Sequence, residues 1–564
     1  MPNNGTGRKM DYRKEYQRWL ENVKDKELRL ELENMDESVA EDAFYRDLAF
    51  GTGGLRGTIG AGINRMNVYV VRKASQGLSN YLVDRYENPS VVVGYDSRIK
   101  SDVFAQAAAG VFAANGIRVH LWPELNPVPM VSFATRELAA SAGVMITASH
   151  NPSKYNGYKV YGSDGCQITT EAAAQILGKI NALDIFTNVK SVDFDSAVGD
   201  GMITFIPDSV MDDYMKAVKS QSVLYGDEIN RDVAIVYSPL NGTGLKPITR
   251  ALSESGFTNI TVVEEQRSPD GNFPTCPYPN PEVRAAMELG LQYCERIGAD
   301  LLLATDPDCD RCGIAVRTDT GDYELLSGNE VGLLLLDYIC SQRMKHNKMP
   351  ENPVFVKTIV TMDLAEKIAE RYGVQTINVL TGFKYIGEQI GLLEKAGRSD
   401  DYICGFEESY GYLTGIYVRD KDAVNAAFMI CEMFAFYKTK GISLCQKLDE
   451  IYGTYGYCLN TLHSYEFPGS SGMDKMRLIM AEFHKGIGFI AGEKVIRTED
   501  YSEGLNGLPP SDVLKFFTAT GSVVVRPSGT EPKLKVYIST MAEDRAKAKI
   551  KEKKTSNELG ERMK

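Results

Sequence analysis

The chain has 564 residues, 43% of them hydrophobic and 24% charged, with a formal net charge of −12. That length is too great for one hydrophobic core and predicts about four domains, at roughly 100 to 200 residues each. The acidic balance excludes a nucleic-acid surface, which needs a basic face, but leaves room for a small anionic ligand held by a few local cations.

The N-terminus is polar, and the densest apolar run, residues 331–339, is too short to cross a bilayer and is interrupted by Asp337. Neither a leader peptide nor a membrane partner is expected, and the chain reads as cytoplasmic. Ten cysteines are scattered without a framework, as reduced thiols are. Cys309 and Cys312 form a lone CxxC, and the five histidines offer no HxxxH pair, so a four-ligand zinc site is not expected.

Residues 8–50 read as a charged helical arm, with Tyr12, Tyr16 and Trp19 at helical spacing and Leu28 beyond them as contacts to the body. The segment GTGGLRGTIGAG, residues 51–62, follows. Its glycines permit close backbone approach to a ligand, but it lacks the GK[ST] ending of a nucleotide-binding loop and reads equally well as a flexible turn. Arg56 is the side chain in it suited to a two-pronged grip on an oxyanion.

Beyond this point a pattern runs three times. An apolar, β-branched run (91–93, 233–236, 354–359) is followed by a helical stretch ending at Gly116, Gly256 or Gly373, where a left-handed cap is predicted. A second strand follows (117–121, 260–263, 374–379), then another helix and a third strand (143–146, 301–303, 402–404). The alternation predicts parallel βαβ units covered on both faces. A polar cluster follows the third strand each time: TASHNP at 147–152, TDPDCDR at 305–311 and GFEESYG at 405–411. If the units face one another, these loops meet in one central cleft. After about Thr454 the pattern changes to short strands at 494–501, 513–519, 522–526 and 534–539, with a helix at 474–485 and a charged helical tail from 542. The fold class expected is therefore α/β, with three similar βαβ-type domains of mixed sheets and a C-terminal α+β domain around the cleft. The boundaries read as 1–210, 211–328, 329–454 and 455–564.

Each cluster has its own chemistry. Ser149 stands where a strand breaks into a polar turn, at the carboxyl end of a sheet, where ligands collect; taken alone, the stretch reads more readily as a local turn with Pro152 fixing its exit. Asp306, Asp308 and Asp310 crowd one loop and need a hard cation. Arg311 and Arg317 occupy the positions where a calcium-binding EF-hand needs Gly and Glu, whereas Mg²⁺ suits three oxygens with room for phosphate. RPSGTEPK, residues 526–533, offers Arg526, Ser528, Gly529 and Thr530 as an anion-binding nest, or a hairpin turn. Glu407 and Ser409, two apart, suit sugar hydroxyls, and Lys159, Lys384, Arg419 and Lys421 add positive charge near the cleft. Together a serine nucleophile, one metal, a phosphate loop and hydroxyl acceptors specify phosphoryl transfer on a phosphorylated sugar through phosphoserine, with Arg311 set to stabilise the transferred group.

These clusters, with SPLNGTG at 238–244, YPNPE at 278–282 and TGFKY at 381–385, resemble the signature loops of the α-D-phosphohexomutase superfamily, over nearly the whole chain and in order. The pattern is most similar to the branch containing phosphoglucomutases and phosphopentomutases. The resemblance implies four domains around a cleft, one Mg²⁺ held by Ser149, Asp306, Asp308 and Asp310, and Ser149 as the phosphoserine, with His150 beside it among the catalytic residues. It places Arg56 and Lys159 near the transferred phosphoryl group, Lys159 being a candidate for acid/base transfer. Glu407, Ser409, Lys384, Arg419 and Lys421 fall to the sugar, and Arg526, Ser528, Gly529 and Thr530 to its distal phosphate. The implied reaction interconverts glucose 1-phosphate and glucose 6-phosphate through a reorienting glucose 1,6-bisphosphate. Pentose or mannose phosphates are alternative substrates, and a sugar-phosphate sensor without catalysis is the alternative of another class. The sequence departs from the family at Cys309, where Ala or Gly is usual, and lacks a histidine between Gly411 and Arg419, which leaves the general acid and base open. Oligomeric state is not readable.

Overall fold

The computed structural model describes residues 11–563 apart from 52, 468 and 529–532. The three predicted units are three sheets built on one plan. In the first, β1 (Gly54–Thr58), β2 (Ser90–Tyr95), β3 (Arg118–Leu121), β4 (Ala142–Ile146), β5 (Tyr155–Gly162) and β6 (Ile203–Phe205) stand in the order β1-β5-β4-β2-β3-β6. The second contains β7 (Ile235–Ser238), β8 (Ile260–Val262), β9 (Leu301–Thr305), β10 (Cys312–Arg317) and β11 (Tyr323–Leu326), ordered β11-β10-β9-β7-β8. The third contains β12 (Val354–Thr358), β13 (Gln375–Val379), β14 (Tyr402–Glu407) and β15 (Gly411–Leu413), ordered β13-β12-β14-β15.

In each sheet the unit's first strand is central and its second and third strands flank it in parallel. A further strand returns antiparallel against the third. Every polar cluster is therefore the connection from a third strand to its antiparallel neighbour, at the same corner of each sheet. Residues of β4, β9 and β12 are buried throughout, because helices cover both faces, and so these strands read as apolar runs without alternation, Lys357 near the end of β12 being the one charged residue in them.

The predicted glycine caps are present at equivalent places. Gly116, Gly256 and Gly373 have φ of 75, 89 and 69°, and each donates its N–H to the carbonyl three residues back while the next residue reaches the carbonyl five back. Both hydrogen bonds define a Schellman motif, and Ile117, Phe257 and Val374 bury themselves just beyond it.

The N-terminal arm forms helices Tyr12–Asn22, Lys26–Glu33 and Glu37–Phe44 against the first sheet. Trp19 is fully buried, its ring 5.6 Å from those of Phe44, Tyr69 and Phe186. The glycine-rich segment after it is no loose turn: β1 pairs antiparallel with β5, placing Arg56 opposite Gly157. Gly54 makes this approach feasible, since at its φ of 143° a Cβ would lie 1.8 Å from the Tyr158 carbonyl oxygen. The arm braces the segment, with Glu31 accepting the Ala61 N–H at 3.0 Å.

The fourth unit is an antiparallel sheet of Tyr457–Glu466, Lys533–Ala542, Gly521–Pro527, Leu514–Thr518 and Arg497–Asp500, in that order, with helices Gly469–His484 and Arg545–Arg562. The expected strands are there with shifted ends; the ten-residue Tyr457–Glu466 is an addition, masked in the sequence by its mostly half-exposed surface. This unit has its own core around Phe483, Phe516, Val525 and Val536, whereas one apolar cluster runs through the second and third units and touches the first. Among the described residues, no helix is long and apolar enough to cross a membrane.

Candidate active site

The first corner belongs to Ser149. Buried β4 ends at Ile146, and Thr147 then turns the chain: its Oγ1 accepts the Ser149 N–H at 2.8 Å and donates to Asp308 Oδ2 at 3.2 Å. Ser149 is held at φ 51°, a conformation that costs a non-glycine residue about 1–3 kcal/mol and persists only where the surroundings enforce it. Its Oγ donates to Asp306 Oδ2 at 2.8 Å and lies 3.2 Å from His150 Nδ1. Burial, with the positive charges of Arg311 and Arg56, holds His150 well below its ordinary pKa, so the ring beside the hydroxyl is neutral.

The second corner carries Asp306, Asp308 and Asp310, all essentially inaccessible, with carboxylate oxygens within 4.8 Å of one another. Asp306 Oδ1 accepts the N–H groups of Asp310 and Arg311 at 3.1 and 3.0 Å, which folds the loop around it. Three cations face the triad. Lys159 Nζ stands 2.8 Å from Asp308 Oδ2, Lys421 Nζ 3.0 Å from Asp310 Oδ2, and Arg311, itself paired with Glu282, has Nε 3.9 Å from Asp310 Oδ1. Burial and the two neighbouring carboxylates push Asp306 well up. In Asp308 the Lys159 ammonium and the local hydrogen bonds outweigh burial and hold the pKa below the usual range. Asp308 Oδ1 and both Asp310 oxygens still lack a hydrogen bond, Lys421 being near but not aligned as a donor. Buried, crowded and incompletely bonded carboxylate oxygens are what a hard cation ligates.

The third corner joins these two: the Tyr410 carbonyl accepts the Cys312 N–H at 3.0 Å, and Lys421, just beyond β15, reaches the triad. Glu407 ends β14 and is 5% exposed, its Oε1 accepting the Gly382 N–H at 3.0 Å. Ser409 is half-buried in the turn that follows. Each of the three corners contains one non-glycine residue at positive φ: Ser149, Cys309 (53°) and Tyr410 (66°). Cys309 thus occupies a left-handed position that glycine fills without strain.

Arg56 lies at the rim, its Nη1 donating to Asn151 Oδ1 at 3.0 Å. From the fourth unit, Arg526 donates to the Tyr537 hydroxyl at 3.0 Å, and its charge opposes the burial that raises the Glu408 pKa. Ser528 closes the loop by donating its N–H to the Lys533 carbonyl at 2.7 Å, while Gly529 and Thr530 lie outside the described residues. Lys384 opens the helix Phe383–Lys395 with its ammonium 4.9 Å from the Tyr385 ring centroid.

Arg419 is the exception among the expected sugar contacts. It is fully buried, its guanidinium on Glu394 at 2.7 Å and on the carbonyls of Ile416 and Val418, and its N–H donates to Ser132. The guanidinium is therefore engaged within the third unit, with Nε left without a hydrogen-bond partner, and it is the backbone N–H of Arg419 that ties this segment to the first unit. Other residues were missed. Asp420 accepts from the Tyr161 hydroxyl and Asp422 from that of Tyr214, so both neighbours of Lys421 are anchored. Arg98 grips the Ser149 loop. Its signal was the polar triplet 96–98 directly after β2, the same strand-to-turn break that marks TASHNP.

Four family descriptions match in chain order: phosphoglucomutase/phosphomannomutase α/β/α domain I at 47–185, domain II at 212–321, domain III at 327–455 and the C-terminal domain at 477–554. The chain belongs to the phosphoglucomutase/phosphomannomutase family. It is therefore an enzyme of the mutase type. The phosphoglucomutase of Staphylococcus saprophyticus is 36% identical over 540 residues, covering 93% of this chain and 96% of its own. That of Staphylococcus haemolyticus is 35% identical over 511 residues, 88% and 91% of the two chains. The open-form crystal structure of parafusin, a phosphoglucomutase from Paramecium, has a TM-score of 0.68 at 18% identity over 92% of this chain and 94% of its own, and so shares the family fold.

Proposed function

We propose that the chain interconverts glucose 1-phosphate and glucose 6-phosphate, with Ser149 carrying the transferred phosphoryl group and glucose 1,6-bisphosphate reorienting in the cleft between two transfers. The observation that carries this reading is the buried Ser149 hydroxyl donating to Asp306 at the edge of a carboxylate triad, in a chain whose relatives at 35–36% identity are named phosphoglucomutases.

The residues divide the work as follows. Ser149 Oγ is the nucleophile on the return step and the leaving group on the forward one. Lys159, whose pKa stays above its usual value because Asp308 and Asp310 outweigh burial, is charged and lies where phosphoryl oxygens would arrive. Arg56 and Arg311 supply donors to the same group, and Glu407 and Ser409 accept sugar hydroxyls. Arg526 and Ser528 flank the loop assigned to the distal phosphate, and closing that unit over the cleft keeps water from the phosphoserine. Asp306, Asp308, Asp310 and the Ser149 oxygen fit one Mg²⁺, since three carboxylates supply hard oxygens and three of those oxygens lack a hydrogen bond. Bound there, the ion supplies neutralisation of charge on the phosphoryl group.

The test is the mass of the Ser149 peptide together with turnover. Protein exposed to glucose 1,6-bisphosphate should gain one phosphate on Ser149, and Ser149→Ala should gain none and lose mutase activity. Chelation should abolish turnover and Mg²⁺ restore it. Normal turnover by Ser149→Ala would refute the assignment.

A further inference from the structure

Arg98 lies beneath the nucleophile loop with its guanidinium fully inaccessible. Nε donates to the Ser149 carbonyl at 3.2 Å, Nη2 to the carbonyls of Ser149 and Asn151, and Nη1 to those of Pro152 and Tyr155, both at 3.0 Å. A guanidinium has five N–H donors, and all five are engaged on this one loop. Its counter-charge is equally buried: Asp96 Oδ2 is 3.5 Å from Arg98 Nε, and Asp96 Oδ1 accepts the Arg98 N–H and the Ser101 hydroxyl at 2.9 and 2.7 Å. The Asp96 N–H in turn donates to the carbonyl of Ile146, the last residue of β4. The pair is thus fastened to the strand that delivers Ser149. The second unit seals it, with the Phe273 ring centroid 5.1 Å from Arg98 Cζ and Gly271 so close that a Cβ would lie 2.4 Å from the Ile99 nitrogen.

Four carbonyls drawn to one point fix the peptide plane that follows Ser149 and the turn beyond it, while Thr147 Oγ1 holds the Ser149 N–H of the plane before it; a left-handed serine keeps its φ only when its surroundings enforce it in this way. The hydroxyl is then left free to donate to Asp306 Oδ2. An ammonium has only three donors and no planar fork, so lysine cannot reproduce the grip.

We propose that Arg98, with Asp96 as its counter-charge, is a positioning residue for the reaction: it holds the nucleophile loop by its carbonyls so that the Ser149 hydroxyl faces the acidic loop. Its loss slows phosphoryl transfer at Ser149 without weakening sugar-phosphate binding. The proposal rests on the reading of Ser149 as phosphoryl carrier.

The experiment compares Arg98→Lys, Arg98→Met and the milder Asp96→Asn with the parent. Two quantities are read: steady-state kcat and KM for glucose 1-phosphate, and the rate at which dephosphorylated protein gains phosphate on the Ser149 peptide from glucose 1,6-bisphosphate. A displacement of about 1 Å at a reacting group costs on the order of a hundredfold, so Arg98→Met should lose about that factor in kcat and in phosphate gain. Arg98→Lys and Asp96→Asn should lose about tenfold on the same scale, with KM within threefold of the parent throughout. A folded Arg98 variant that gains phosphate at the parental rate overturns the proposal, as does a kcat loss matched by an equal rise in KM. Failure of all three variants to fold while Ser149→Ala folds normally would make Arg98 purely structural and overturn it too. If the parent gains no phosphate on Ser149, the reading of the nucleophile fails first; if it does, and the Arg98 variants match it, this proposal fails alone.

Discussion

Glu407 ends a buried strand, and burial pushes its carboxyl up to about 7, with Lys421 and Arg311 pulling down and Glu408 pushing further up. On the reading proposed above Glu407 accepts sugar hydroxyls, and it can accept through both oxygens only when ionised, which at pH 6 is about a tenth of it. We expect kcat/KM to rise about tenfold from pH 6 to 8 and the Glu407→Gln profile to be flat across that range; a parental profile flat through 7 would refute this assignment. The linkage has the opposite sign for stability. Between the unfolded value near 4.5 and about 7, the folded protein holds a proton that the unfolded chain lacks, so this group's contribution to stability falls as pH rises through that window. Single residues were legible where chemistry crowds one sequence position, as at Asp306, Asp308 and Asp310. Arg98 and Arg419 were harder because an arginine has the same signature whether it meets a ligand or backbone carbonyls, and only the fold says which.

The three glycine caps are the clearest case of an element boundary dictated by sequence. Gly116 and Gly373 sit at φ 75 and 69°, and an added Cβ at either would meet nothing within 4 Å. Alanine there pays only the left-handed backbone penalty, so Gly116→Ala and Gly373→Ala should each cost about 1 kcal/mol, read as a lower denaturant midpoint, with kcat unchanged. Gly54→Ala is the contrast. Its Cβ would collide with the Tyr158 carbonyl, so β1 must leave β5 and take Arg56 with it, and we expect activity to fall far more than stability. The same comparison explains what the sequence hid. The strands β2, β4, β9 and β12 are apolar because helices cover both faces, and they stand out. The strand β1 is rich in glycine because another strand presses on it, and low β-propensity made it read as a turn.

At the scale of the whole molecule, the first three units share apolar contacts, while the fourth meets the third through a small apolar cluster and a group of charges in which Lys357 and Lys515 are buried and Asp363 is partly so. Asp363 is the centre of that group. Its Oδ1 is 2.7 Å from Lys515 Nζ and 3.4 Å from Lys357 Nζ, and its Oδ2 accepts the Ser522 hydroxyl at 2.7 Å. Lys515 also donates to the Ile359 carbonyl at 2.9 Å, so one ammonium from the fourth unit is plugged into the third. Burial alone would raise the Asp363 pKa, but Lys515 and Lys357 outweigh it and bring it to about 2. A depressed carboxyl contributes stability that is fully present above its unfolded value near 3.8 and is lost as pH falls toward 2. Asp363→Asn removes the charge and leaves Lys515 buried without its carboxylate. Breaking such a pair costs about 3–5 kcal/mol when fully buried, and about 2 kcal/mol is expected here because Asp363 is 29% exposed. The strands that hold Arg526 and Lys533 belong to this unit, so on the reading proposed above undocking moves the loop assigned to the distal phosphate away from Ser149. The variant should show a larger radius of gyration in solution scattering and a severalfold higher KM for glucose 1-phosphate, while phosphate gain on Ser149 stays nearer the parental rate. A parental radius and KM would mean that the apolar cluster alone docks the fourth unit.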